Sequence, residues 1–261
     1  MTGPDPLAAA TAIARGAGEV LRAHFGQALT IEHKGEIDLV TEADRASEAH
    51  IVSRLRTAFP DHAILAEEGS GTARAGRPRW LVDPLDGTTN FAHGYPLFAV
   101  SIALEVEGRI EVGVVHDPCR DETFAARRGA GATLNGAAMR VSAIEQLSRA
   151  LLVTGFPYTI HERPEPTVGL LRRFLMAGQG LRRDGSAALD LCYVAAGRFD
   201  GFWELELKPW DVAAGSLIVE EAGGRVTNLD GSRFAIDAGA ILATNGRLHD
   251  AMLTIASSTA S

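Results

Sequence analysis

Two aspartates three residues apart, Asp83 and Asp86, stand in the run Asp83-Pro84-Leu85-Asp86-Gly87-Thr88-Thr89-Asn90. The apolar run Trp80-Leu81-Val82 precedes them and reads as a buried strand that ends at a site. A turn stiffened by Pro84 and released by Gly87 can bring both carboxylates to one point. Carboxylates forced together repel, and a bound cation relieves the repulsion. Hard oxygen ligands select a hard ion, so magnesium is the expected one. The backbone N–H groups of Gly87, Thr88 and Thr89 could cradle an anion at a helix start. A cation beside an anion cradle suggests phosphate chemistry.

Further acids stand where elements end or begin. Glu67 follows Ala63-Ile64-Leu65-Ala66, Asp44 lies three residues after Thr41, and Asp211 follows Lys208-Pro209-Trp210. Two-metal phosphate chemistry needs several carboxylates on separate elements, to hold cations about 3.5–4 Å apart. Each acid also has a plainer reading: Glu67 as surface charge, Asp44 as a helix cap, Asp211 as an acid favoured by a helix dipole. Their joint pattern favours a site.

The elements that would position these acids follow from apolar spacing. An alanine-rich helix opens at Asp5-Pro6, with Leu7, Ile13, Val20 and Leu21 at helical spacing, and closes at Gly26. Residues 30–40 read as a short strand or hairpin. Thr41 caps a second helix with Asp44 in capping-box position and Ile51, Leu55 and Ala58 as its apolar stripe. Ala63–Ala66 is a strand, and Gly69 to Arg79 a mobile loop without periodicity. Phe98 to Val106 alternates as a half-buried strand that turns at Glu107-Gly108 into another, Ile110 to Val115, with more strand at 122–126 and around Leu134. After about residue 140 strands and helices alternate: strand 151–153, helices 162–177 and 186–196, strand 202–207, helix 209–222, strand 240–244 and a terminal helix. The expected fold class is α+β/α/β, with helices layered against two sheets, the first antiparallel and the second mixed. The halves expected are 1–145 and 146–261, sharing a wide interface.

Composition narrows the class. A hydrophobic content of 46% and a charged content of 22% are ordinary for a globular chain of 261 residues. A net charge of −8 argues against nucleic acid as a partner, which would need clustered Lys and Arg. The pairs Arg127-Arg128, Arg172-Arg173 and Arg182-Arg183 read as solvated surface or a subunit contact. Cys119 and Cys192 are too few for a disulfide framework and read as reduced thiols. No run approaches the roughly 20 apolar residues of a membrane span, and Met1 to Leu7 has no signal-peptide character. A cytoplasmic protein with no membrane partner is expected. The eight histidines lack zinc-site spacing, His93 reads as turn packing, and Trp80, Trp203 and Trp210 read as core anchors.

The chain resembles the inositol monophosphatases, magnesium-dependent and lithium-sensitive phosphomonoesterases. The resemblance is carried by Glu67-Glu68-Gly69, by Trp80 to Phe91, and by Lys208-Pro209-Trp210-Asp211-Val212-Ala213-Ala214-Gly215. It extends through Asp38 to Asp44, Thr154-Gly155-Phe156-Pro157-Tyr158 and Gly185 to Asp190, and so spans nearly the whole chain. It implies a layered αβαβα sandwich of the sugar-phosphatase type and a homodimer. It also implies that Glu67, Asp83 and the Leu85 carbonyl bind a first Mg2+, and that Asp83, Asp86 and Asp211 bind a second. A third, weaker ion would rest mainly on Glu67. Thr88, hydrogen-bonded to Asp44, would orient the attacking water. Gly87 and Thr88 N–H groups would hold the phosphate, and Gly185, Ser186, Ala187 and Glu204 would contact a small phosphorylated polyol. Lys208 stands where some relatives carry histidine, and Asp184 departs from the usual neutral residue; it would pair with Arg182 or Arg183, or alter the pocket rim. The substrate implied is myo-inositol 1-phosphate. The same site could instead serve fructose 1,6-bisphosphate, histidinol phosphate or a nucleotide phosphate, and the same fold could act as a regulatory protein on the transcription machinery.

Overall fold

The computed structural model describes residues 3–27, 31–33, 39–70 and 76–257. Asp38 and residues 71–75 of the expected loop lie outside the described residues. In chain order the elements are α1 (Pro6–His24), β1 (Ile31–His33), β2 (Leu39–Thr41), α2 (Glu42–Ala58), β3 (Ala63–Ala66), β4 (Arg79–Asp86), α3 (Thr88–Ala92), β5 (Ala99–Val106), β6 (Arg109–Asp117), β7 (Glu122–Arg127), β8 (Ala132–Leu134) and β9 (Ala137–Ala138). There follow β10 (Leu151–Thr154), α4 (Glu165–Ala177), β11 (Gly180–Arg182), α5 (Ala187–Ala195), β12 (Gly201–Leu205), α6 (Pro209–Glu221), β13 (Arg225–Thr227), β14 (Ala240–Thr244) and α7 (His249–Ser257).

Seven strands, β3 to β9 in sequence order, form one sheet, and five in the order β11-β10-β12-β14-β13 form another. Helices α1 and α2 cover the outer face of the first sheet, α5 and α6 lie between the sheets, and α4 and α7 cover the second. Three apolar clusters fill the spaces between these five layers. The central one explains α5 and α6: α5 is buried at every position, and α6 from Val212 to Val219, as helices packed on both sides must be. On α1 and α2 only one face is buried. The α1 stripe is Ala10, Ile13, Ala14, Ala17, Gly18 and Leu21, with small residues that let it lie close to the sheet.

Both sheets are mixed, which corrects the expectation that the first is antiparallel. Strand β3 runs parallel to β4, with Ala66 opposite Val82, while the remaining neighbours in that sheet are antiparallel. Parallel pairing sends the C-terminal ends of both strands, and the acids Glu67 and Asp83 that follow or end the apolar runs, to the same edge. The second sheet is mixed as expected, although β11 and β13 had no apolar alternation to announce them. Helix α4 begins at Glu165 rather than 162, because Pro164 and Pro166 confine the backbone at its start. On α2 the third apolar position is Val52; Ala58 is only half-buried.

Candidate active site

Strand β4 carries both aspartates of the opening motif, and its ladder with β5 shifts register between Asp83 and Asp86. Pro84 cannot donate to a ladder, so the strand bulges there and re-aims its side chains. Ser47 Oγ on α2 donates to the freed Pro84 carbonyl at 2.8 Å. The strand then turns at Gly87, whose φ of 95° favours glycine. A Cβ there would also lie 3.1 Å from the Leu97 carbonyl and 3.3 Å from that of Gly185. Thr88 follows in the first turn of α3, where N–H groups have no acceptor within the helix.

Asp44 performs two tasks at once. Its Oδ2 accepts the Thr41 N–H at 2.8 Å and the Thr41 hydroxyl at 2.6 Å, closing the capping box of α2. Its Oδ1 lies 3.1 Å from the Thr88 hydroxyl, which also lies 3.0 Å from the Leu85 carbonyl. Burial raises the Asp44 pKa, and the Thr41 and Thr88 hydrogen bonds oppose that rise.

The second half of the chain is latched onto this motif. Asp86 Oδ2 accepts the Ser186 hydroxyl and, at 2.8 Å, the Ala188 N–H, so Asp86 sits on the first turn of α5. Asn90 Nδ2 donates to the Leu97 carbonyl at 2.8 Å and to the Asp184 carbonyl at 2.9 Å. Ser101 Oγ on β5 donates to the Trp210 carbonyl at 3.2 Å, which docks the start of α6. Asp211 repeats the Asp44 arrangement: it is the third residue of its helix, and its Oδ2 accepts the Lys208 N–H at 2.7 Å.

These segments enclose a cleft of about 330 Å³, lined by Glu67, Asp83, Leu85, Asp86, Gly87, Thr88, Gly185, Ser186, Ala187, Glu204 and Asp211 among others. Every sequence-predicted site residue except Asp44 lines it, and Asp44 reaches it through Thr88. Glu204 on β12 lies over Gly155, close enough that a Cβ on Gly155 would fall 2.2 Å from its carboxyl group.

The acids strain each other electrostatically. Burial, then the charges of Glu67, Asp86 and Asp211, pushes Asp83 well above the usual carboxylate range. Burial raises Asp86 to about 6 even against the Ser186 and α5 hydrogen bonds, and raises Asp211 well above its ordinary value. Burial, then Asp211 and Asp86, pushes Glu204 to about 8. Among the described residues no three His, Cys, Asp or Glu side chains already converge as a metal cage. Bare carboxylates repel, and here one oxygen each of Asp83, Asp86 and Asp211 rests on a protein donor: the N–H of Leu85, the start of α5, and the N–H of Lys208. The crowded, all-oxygen set of ligands suits a hard divalent cation.

Several residues of the site escaped the sequence reading. Glu48, fully buried on α2, accepts the Glu68 N–H at 2.7 Å and the Ser70 N–H at 2.9 Å, fixing the backbone beside Glu67. Its signal was a polar Asp44, Ser47, Glu48 stripe at i, i+3, i+4 on the inward face of a helix. Trp210 lines the cleft rather than the core, whereas Trp80 and Trp203 are fully buried as expected. Arg183 also lines the cleft, with its guanidinium 5.3 Å from the Phe156 ring centroid, rather than serving as plain surface. Asp184 forms no ion pair with Arg182 or Arg183 among the described residues; its pKa is raised by burial, with Arg182 and Arg120 opposing. His93 ends α3 outside the cleft. No described helix is long and apolar enough to cross a membrane.

Known proteins are similar to this chain over nearly its whole length. The model of the inositol monophosphatase family matches residues 4–260. A protein named Nus factor SuhB from Pseudomonas aeruginosa is 47% identical over 248 residues, 92% of each chain. Inositol monophosphatase 2 of Solanum lycopersicum is 46% identical over 248 residues, 92% of this chain and 93% of its own. The solved structure of inositol monophosphatase from Anabaena superposes with a TM-score of 0.88 at 45% identity, covering 95% of this chain and 94% of that one. The chain therefore belongs to the inositol monophosphatase family.

Proposed function

We propose that the protein is a magnesium-dependent phosphomonoesterase that hydrolyses myo-inositol 1-phosphate and related small phosphorylated polyols. The observation that carries this reading is the Thr88 hydroxyl, poised between Asp44 Oδ1 and the Leu85 carbonyl at the edge of a cleft lined by Glu67, Asp83, Asp86 and Asp211. Glu67, Asp83 and the Leu85 carbonyl would hold one Mg2+, and Asp83, Asp86 and Asp211 a second. When bound, such ions lower the pKa of water and neutralise phosphate charge. Thr88 donates its proton to Asp44, which leaves a lone pair to accept a hydrogen from the attacking water and orient its oxygen toward phosphorus. Gly87 and Thr88 N–H groups hold the phosphate oxygens through the displacement. Glu204 accepts two vicinal ring hydroxyls, while Gly185, Ser186 and Ala187 flank the ring. Water attacks opposite the alkoxide, and no phosphoenzyme forms.

The test is a panel of phosphomonoesters assayed with Mg2+, with a single turnover in 18O-water. Inositol 1-phosphate should rank first and one label should appear in the released phosphate. A far better fructose 1,6-bisphosphate or nucleotide rate would replace the substrate, and label in the alcohol would overturn the direction of attack. A second reading draws on the relative named Nus factor SuhB: the protein also acts on the transcription machinery. Asp83→Asn separates the two, since a cellular phenotype that survives loss of hydrolysis belongs to the second role.

A further inference from the structure

Among the described residues, Glu107, Asp121, Asn135 and Glu206 have a positive φ without being glycine. The first three stand in turns between consecutive antiparallel strands, where such a φ is ordinary. Glu206, at a φ of 60°, stands instead between β12 and α6, where it lines the cleft. Leu205 is opposite Ala240 in the ladder, and the Leu207 N–H donates to the Gly239 carbonyl at 2.9 Å, so Glu206 is the extra residue of a bulge. Glycine is the residue that fits such a position without strain. A long acid held there points to a task for its side chain.

That task is a clasp. Glu206 Oε2 accepts the Thr159 hydroxyl at 2.6 Å, and its Oε1 accepts the Arg163 Nη2 at 3.0 Å. Both partners belong to the turn that follows Gly155, Phe156, Pro157 and Tyr158, which also line the cleft. The Ile160, Glu162 and Arg163 N–H groups tie this turn together through the Pro157 and Thr159 carbonyls. Strands β10 and β12 run parallel, with Thr154 opposite Trp203, so the two segments leave the sheet side by side. Beyond that last rung the Glu206 side chain bridges them.

We propose that Glu206 is a specificity-determining residue: by pinning residues 156–163 to the connection between β12 and α6, it fixes the width of the polyol end of the cleft and restricts it to compact phosphomonoesters. This rests on the phosphatase reading above, which places the polyol beside Glu204. The clasp is exposed, with the Arg163 and Glu206 side chains 68% and 40% accessible, so it adds little to global stability. Its effect falls on the wall it holds. The short bond from the Thr159 hydroxyl to a carboxylate oxygen is the stronger arm. Without the clasp the wall is free to move outward and admit a bulkier ester. Asp86 and Asp211, at the inner end, keep their own hydrogen bonds and stay in place.

The experiment compares inositol 1-phosphate with adenosine 5′-monophosphate on the wild-type protein, Glu206→Gly, Glu206→Gln and Thr159→Val. Glycine suits the φ of the bulge, so Glu206→Gly removes the clasp without disturbing the turn. Binding is measured by calorimetry with Ca2+ in place of Mg2+, hydrolysis separately with Mg2+, and amide hydrogen exchange over residues 156–163. Glu206→Gly and Thr159→Val should lower the ratio of adenosine 5′-monophosphate to inositol 1-phosphate Kd about threefold or more, the scale of one or two exposed contacts. Both should also speed exchange of the Ile160, Glu162 and Arg163 amides. Glu206→Gln keeps an acceptor for Thr159 and should restore part of each effect. A smaller change in the ratio, an equal change for both ligands, or unchanged exchange would overturn the proposal. If both ligands bind but neither is hydrolysed, the phosphatase reading falls, while the Kd ratio still judges Glu206.

Discussion

Replacing Gly155 by alanine should separate recognition of the polyol from every other property of the protein. A Cβ at residue 155 would stand 2.2 Å from the Glu204 carboxyl carbon and from both of its oxygens. Ordinary non-bonded contacts lie near 3.5 Å, so the carboxyl group must retreat by roughly 1 Å or more. The backbone of Glu204 cannot follow, because β12 is held in register with Glu204 opposite Ile241. The side chain therefore swings away from the place where it would accept two hydroxyls. Assayed above about pH 8, where the Glu204 carboxyl is ionised, hydrogen bonds to it are worth about 1.5–3 kcal/mol each, so losing two costs about 3 kcal/mol or more. That is about a hundredfold or greater rise in KM for inositol 1-phosphate. A phosphomonoester without vicinal hydroxyls, such as 4-nitrophenyl phosphate, should keep its KM. Stability should hardly change, because the clash is with the far end of a flexible side chain and alanine restricts the unfolded chain. Steady-state kinetics on both substrates and a thermal melt check this. Equal KM increases for both substrates, or an unchanged KM for inositol 1-phosphate, would refute the assignment of Glu204.

The raised pKa values of Asp83, Asp86 and Asp211 make these groups bind more protons in the folded, metal-free protein than in the unfolded chain, so their contribution to stability is greatest at low pH and falls as pH rises. The decline should begin near the ordinary carboxylate value of about 4 and run through about 6 for Asp86, extending higher for Asp83 and Asp211. Melts with a chelator should show the fall, and added Mg2+ should abolish it. Asp83→Asn should lower kcat by about 10³-fold or more, equivalent to ~4 kcal/mol, yet raise the Tm of the metal-free protein at pH 8 by relieving repulsion at the centre of the cluster. Thr88→Ala should lower kcat about 10²-fold with little change in KM, while Thr88→Ser retains most of the rate. Glu48→Gln leaves the Glu68 and Ser70 N–H groups a weaker acceptor and should reduce Mg2+ affinity about tenfold without touching the cleft, as titration calorimetry would show.

Local chemistry made much of this protein legible before any coordinates. The capping box at Thr41 and Asp44, the strand Ala63–Ala66 and the Glu107-Gly108 turn follow from neighbouring residues alone. Elements whose burial comes from distant partners were harder to read. Strands β11 and β13 are three residues each and owe their existence to β10 and β14, not to an apolar alternation of their own. Glu48 went unread because nothing near it in sequence reveals the loop N–H groups it satisfies twenty residues on.

By itself the sequence determined which groups are available for chemistry: acids at element ends, a threonine beside them, and turns that only glycine makes easily. The tertiary structure decided how those groups are shared. Parallel pairing of β3 with β4 carries Glu67 to the edge where Asp83 stands, and Asp86 reaches across to the first turn of α5. Glu204 lies on Gly155, and Arg183 turns from surface charge into part of the cleft by resting on Phe156. Residue types and short spacings set reactivity, because reactivity is a property of the group. Distances between groups far apart in the chain are set by the packing of two sheets about one pair of helices, which no local pattern encodes.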